Sequence, residues 1–128
     1  MSQRQRFCLA LCLCVTIALV GCKSKKTMAT TDITISTDGS NNCTQNGAIN
    51  TNVPIGPDGV TWVAPNTGSL YITFNAGCGF ANGCTFGPTT SPIQSGASSS
   101  TTGTVIPYAT IKINNNACNV GSDGLIMH

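Results

Sequence analysis

The reactive side chains of this 128-residue chain are eight cysteines, one histidine and four carboxylates. Cys8, Cys12, Cys14 and Cys22 lie in or just after an apolar N-terminal run, whereas Cys43, Cys78, Cys84 and Cys118 are spread through the rest of the chain. His128 is the last residue and the only histidine, at a terminus where fraying is the rule. General acid–base catalysis wants a histidine or paired carboxylates, and Asp32, Asp38, Asp58 and Asp123 stand singly in turn or strand-end contexts. Turn-making accounts for Asp38, Asp58 and Asp123. No serine sits in a G-x-S-x-G elbow, and no G-x-x-x-x-G-K phosphate cradle is present. A calcium ion could draw on an aspartate with Asn and backbone oxygens, but no loop has EF-hand spacing. These residues predict no catalytic set, no metal site and no cofactor.

The N-terminus is more informative. Arg4 and Arg6 precede an uncharged run from Phe7 to Val20. As a helix, those 14 residues would rise roughly 21 Å, short of the roughly 30 Å hydrocarbon core of a bilayer. The pattern is that of a cleavable signal peptide rather than a membrane span. It ends in Leu19-Val20-Gly21-Cys22, which resembles the lipobox of bacterial lipoproteins. The resemblance implies a signal peptide over residues 1–21, cleavage before Cys22 and acylation of the Cys22 thiol, usually with a third acyl chain on the new amino group. Two or more acyl chains, at about 0.8 kcal/mol per buried CH2, hold a protein stably on a membrane. Residues 22–31 then form a lipidated tether and residues 32–128 an exported domain. Ser24, in the second position of the processed chain, resembles the outer-membrane default of enteric lipoproteins and implies an outer-membrane anchor, facing the periplasm or the surface.

Export makes the four remaining cysteines a disulfide framework. Four cysteines allow three pairings, and the sequence alone does not choose. The preferred set is Cys78–Cys84, closing the short loop CGFANGC, with Cys43–Cys118 joining two Asn-rich segments. A zinc site is the alternative, disfavoured because no C-x2-C pair exists. Asn42-Cys43-Thr44 fits the N-glycosylation pattern, which a bacterial lipoprotein rarely meets.

Beyond the signal, Lys23, Lys25, Lys26 and Lys112 balance the four aspartates. Lys112 is the only basic residue after Thr31 before the final His128, so the footprint of a nucleic-acid binder is missing. Polarity comes instead from Asn, Ser, Thr and Gly.

The elements that must position these residues are short strands. Asp32–Ser36, Val60–Val63 and Leu70–Phe74 alternate polar and apolar positions. Ala48–Val53, stopped by Pro54, Val105-Ile106, Ala109–Ile113 and Leu125–Met127 give further strand signals, and Pro57-Asp58-Gly59 is turn chemistry. Residues 76–103 form a long loop region, with 95–103 (SGASSSTTG) a mobile stretch, and Asn114–Asn116 is a turn. The expected core is Ile33, Ile35, Val60, Trp62, Leu70, Ile72, Phe74, Phe86, Ile106, Ile111, Ile113 and Ile126. The pattern predicts an all-β chain, an antiparallel Greek-key sandwich of cupredoxin-like or immunoglobulin-like type.

Val60-Thr61-Trp62, Leu70–Phe74, Tyr108–Ile113 and Asp123-Gly124-Leu125-Ile126 follow one another in an order that resembles the cupredoxin family. The resemblance implies the fold only. A blue-copper site takes two His, one Cys and an axial Met. Ser69 and Tyr71 stand where the family places its first histidine, and Cys118 is followed by Asn119, Val120 and Gly121. Fold does not carry function across such a loss.

The functional expectation is a membrane-anchored, non-catalytic cell-envelope module that binds an envelope protein or glycan. The alternatives are a structural or assembly subunit of an envelope complex, and a degenerate metal or redox protein. A flat apolar patch would favour the first and a pairing-competent edge strand the second.

Overall fold

A computed structural model describes residues 29–66 and 68–128. The expected signal peptide, lipobox and Cys22 lie outside the described residues. The described chain is all-β, with ten strands in two sheets packed as a sandwich. The strands are β1 (Thr31–Thr37), β2 (Cys43–Gln45), β3 (Asn52–Ile55), β4 (Val60–Val63), β5 (Leu70–Phe74), β6 (Thr85–Thr89), β7 (Ile93–Gln94), β8 (Val105–Ile113), β9 (Asn116–Cys118) and β10 (Gly124–Met127). One sheet has the order β2-β1-β4-β7, the other β3-β10-β8-β5-β6 with β9 paired to β8.

The expectation of antiparallel sheets needs correcting. β1 pairs with β4 in parallel, Ile33 opposite Trp62, and β3 pairs with β10 in parallel, Leu125 opposite Val53. Both sheets are therefore mixed. Period-two alternation reports which face a residue occupies, not the direction of the neighbouring strand.

The alternating strands bury the residues their pattern assigns. Ile33, Ile35, Val60, Trp62, Leu70, Ile72, Phe74, Phe86, Ile106 and Ile111 are buried, joined by Ile55, Phe80, Ile93 and Tyr108. Two expectations shift. In β10 the inward residues are Leu125 and Met127, while Ile126 is only half-buried, and Ile113 packs against the core from its rim. Pro54 does not stop its strand: β3 continues to the buried Ile55. Pro107 likewise lies within β8, at an outward position.

At the centre is an aromatic cluster. The Trp62 ring lies 5.7 Å from Phe74, 5.2 Å from Phe86 and 6.0 Å from Phe80, and Phe74 stacks on Tyr108 at 4.9 Å. A buried polar chain runs through the core beside it. Trp62 Nε1 donates to the Tyr108 hydroxyl, which donates to Gln45 Oε1, and Gln45 Nε2 donates to the Thr51 and Gly124 carbonyls. Every polar group along it is partnered, as burial demands. Since Trp62 and Gln45 belong to one sheet and Tyr108 and Gly124 to the other, the chain ties the two sheets together.

Residues 95–103 are held rather than mobile. The Ser95 amide donates to the Val60 carbonyl, Ser98 to Pro57, Ser99 to Gly79 and Gly103 to Met127. Ser95 is fully buried, and its hydroxyl accepts from the Val60 amide. Small residues suit this segment because it lies directly against backbone.

The sheet edges are short or blocked. β2 and β7 have three and two residues, β3 contains Pro54 and β6 contains Pro88. Short edges carrying proline resist edge-to-edge pairing.

Candidate functional site

The sandwich has two ends, and β1 runs from one to the other. At its start, the Thr31 amide donates to the Gly59 carbonyl and the Ala29 amide to Asp58 Oδ2. At its finish, Thr37 pairs with Cys43. At about 3.3 Å per residue, β1 spans about 20 Å. The chain therefore enters the domain at the end holding the Pro57–Gly59 turn, the 95–103 segment and the C-terminus, whose His128 amide donates to the Ile55 carbonyl. The Asn-rich segments lie at the far end.

That far end is rigid for identifiable reasons. β8 turns into β9 through Asn114 and Asn115, with φ of 51° and 64°, between the paired residues Ile113 and Asn116. Two successive left-handed residues make a type I′ turn, which asparagine tolerates better than other side-chain-bearing residues. The Asn114 side chain accepts from the Ser69 amide, and its own amide donates to the Ser69 carbonyl. The Asn41 side chain donates to the Ala117 carbonyl, while Asn42 and Asn119 form a bridge between the sheets. The Cys43–Cys118 disulfide lies beside that bridge, with Cα atoms 5.1 Å apart.

Around the hairpin the surface is concave. A cleft of about 660 Å³ is lined by Thr37, Asn41, Ile113 and the 114–117 hairpin. A shallow pocket of about 130 Å³ adjoins it, lined by Tyr71, Pro88, Lys112 and Asn115. Asn115 lines both. Tyr71 and Lys112 stand opposite each other on β5 and β8, and the Lys112 ammonium lies 5.6 Å from the centre of the Tyr71 ring. Among the described residues, the Asn115 side chain makes no hydrogen bond and Lys112 no ion pair. The site thus offers an aromatic and proline surface, the free side-chain amide of Asn115 and a single positive charge.

The residues singled out from the sequence are scattered. Cys78 and Cys84 form the second disulfide, with Cα atoms 5.9 Å apart, in the loop that packs Phe80 into the core. Two disulfides were expected from the cysteine count, and two are present. His128 lies at the end where the chain enters, far from Cys118. Cys118 is bonded to Cys43, so the residues do not fit a blue-copper centre. Among the described residues no three His, Cys, Asp or Glu side chains gather to hold a metal ion.

Asp38, Asp58 and Asp123 have structural duties. Asp38 accepts from the Ser40 and Asn42 amides and the Asn42 side chain, and these bonds lower its pKa. Asp123 does more than make a turn. It is 1 % exposed and accepts from the Thr51 amide, fastening β10 to the start of β3. Burial raises its pKa, against the bonds from the Thr51 and Asn50 amides. Burial likewise pushes the Tyr108 phenol well above its ordinary range.

Tyr71, Lys112 and Asn115 were not singled out as site residues by the sequence. The Asn triplet reads there only as a turn, and the adjacency of Tyr71 and Lys112 depends on a β5–β8 register between distant segments. Comparison with known proteins finds no matching family model, no matching curated protein and no matching solved structure.

Proposed function

We propose that this protein is a bacterial envelope lipoprotein whose domain is a non-catalytic binding module, anchored through lipid on Cys22 and presenting its Asn-rich end away from the membrane. The observation that carries the reading is the polarity of the domain: the chain enters at one end, which also holds a pocket of about 150 Å³ beside Ser100 and Thr104, and the Asn-rich clefts lie at the other, about 20 Å away along β1. Cys22 is seven residues before Ala29, a reach of at most about 25 Å. In this reading the entry end with its Ser-rich segment lies towards the bilayer, and the Tyr71–Asn115 surface lies away from it. Ser24 supports an outer-membrane address.

We further propose Greek-key connectivity of cupredoxin-like type, in which the copper site has been replaced by a disulfide. Its support is the way the chain crosses between sheets, from β2 to β3, β3 to β4, β4 to β5, β6 to β7 and β7 to β8. The dispersal of the described His, Cys and Asp side chains supports a non-catalytic role. The short, proline-bearing edges weigh against assembly by strand addition.

The test is an intact mass of the protein extracted from membranes, beside a Cys22→Ser variant. The expected result is a chain beginning at Cys22 with acyl mass added, and a variant that leaves the membrane fraction. A chain retaining residues 1–21, or an unmodified Cys22, would overturn the anchor. A photoreactive residue at position 115 should capture an envelope component in intact cells, and the same residue at position 102 should not; equal capture or none would overturn the presented face.

A further inference from the structure

We infer that the far-end clefts form a binding site for a neutral glycan. The inference deepens the binding-module reading and rests on it. A pyranose presents one face rich in C–H groups and an edge of paired hydroxyls. The first wants an aromatic or proline surface and the second wants groups that donate and accept together. The pocket of about 130 Å³ supplies both, with Tyr71 and Pro88 as apolar walls and Asn115 at its edge. A side-chain amide donates through nitrogen and accepts through oxygen, so it can bridge two adjacent hydroxyls.

The Asn115 amide is not consumed by the fold: it has no hydrogen-bond partner among the described residues. Its backbone, at φ 64°, needs only a residue that tolerates the left-handed region, which glycine does at least as well. The turn accounts for asparagine at position 115, and it leaves the exposed side-chain amide facing outward beside both clefts. Beyond it, the cleft of about 660 Å³ continues past Asn116, Asn41 and Thr37, with volume for further sugar units.

Charge selects the class of glycan. Among the described residues, Lys112 is the only charged side chain lining either cleft, and it lies over the Tyr71 ring. One ammonium can donate to a hydroxyl or ring oxygen, whereas a polyanion would need a cluster of cations. Rigidity supports affinity: the I′ turn, the Asn114–Ser69 bonds and the Cys43–Cys118 bridge fix the walls before a ligand arrives, which limits the entropy lost on binding.

The experiment is calorimetric titration of the full-length, detergent-extracted protein with maltotetraose, cellotetraose and chitotetraose. Three variants accompany it: Asn115→Gly, which keeps the turn, Tyr71→Ala, and Thr102→Ala at the opposite end. The inference expects saturable binding of at least one sugar, at least tenfold weaker in Asn115→Gly and Tyr71→Ala and unchanged in Thr102→Ala. Binding that both cleft variants leave intact overturns the site. No binding to any of the three sugars overturns the glycan. If the position-115 cross-link then captures an envelope protein, the module stands with a protein partner. If it captures nothing, the module reading fails as well.

Discussion

Trp62 Nε1 donates a hydrogen bond of 2.9 Å to the Tyr108 hydroxyl across the middle of the sandwich, and that hydroxyl donates at 2.7 Å to Gln45. All three side chains are buried, so each bond excludes a competing water. Removing the hydroxyl while keeping the ring leaves an indole N–H and an amide oxygen without partners. Each such buried group costs about 1–3 kcal/mol. Tyr108→Phe should therefore destabilise the domain by about 2–6 kcal/mol, with the fold retained. Urea unfolding followed by Trp62 fluorescence measures it, and a loss below about 0.5 kcal/mol would show that the two groups find other partners.

The two disulfides should contribute unequally. Cys43–Cys118 closes a loop of 75 residues and Cys78–Cys84 one of 6. In the chain-entropy treatment these are worth about 4.5 and about 2 kcal/mol. Replacing Cys43 and Cys118 together by alanine should lower the unfolding midpoint about twice as far as replacing Cys78 and Cys84. The reverse order would place the stabilisation in the packing of Phe80 by the short loop rather than in chain entropy.

The two shifted aspartates should act on stability in opposite pH windows. Hydrogen bonds from Asn42 and Ser40 lower the pKa of Asp38 beneath its ordinary 3.8. Its contribution is therefore present above that value and lost as pH falls through the lowered one. Burial raises Asp123 above 3.8, so the folded state holds that proton more tightly than the unfolded chain does. Its contribution is full below 3.8 and is lost as pH rises through the raised value. The two windows lie on opposite sides of 3.8. Unfolding free energy measured from about pH 2 to 7 should rise and then fall. Asp123→Asn should flatten the falling limb and leave the rising limb in place.

Much of this architecture is written locally. β1, β4 and β5 alternate strictly, and Ile33, Ile35, Trp62, Ile72 and Phe74 are buried where alternation puts them. β2 was invisible because it is Cys-Thr-Gln: Gln45 is 1 % exposed through its amide bonds, not its hydrophobicity. Leu125-Ile126-Met127 carries no alternation at all, so only the neighbouring strands decide which side faces inward. The parallel pairings and the meeting of Tyr71 with Lys112 are non-local registers, which no window of sequence contains. The clefts were hidden for the same reason: Asn115 looks like any turn residue until its side chain is seen to have no partner.

Gly56 and Gly59 flank one turn and should respond oppositely to a methyl group. Gly59 has φ of 90°, and a Cβ there would run into the Gly96 carbonyl oxygen and the Ser95 hydroxyl. Both obstacles are fixed, one being backbone and the other bonded to the Val60 amide. Gly56→Ala instead meets nothing within 4 Å and lies outside the left-handed region. Gly59→Ala should cost about 3 kcal/mol through strain and displacement of the 95–96 segment. Gly56→Ala should be neutral or stabilise by up to about 1 kcal/mol by restricting the unfolded chain. Thermal unfolding of the two variants side by side checks this. Equal losses would mean that the turn tolerates neither change and that Ser95 is not what holds it. A loss confined to Gly59→Ala would show that the Ser-rich segment is part of the folded frame on the side facing the chain's entry, leaving the opposite end as the surface available for recognition.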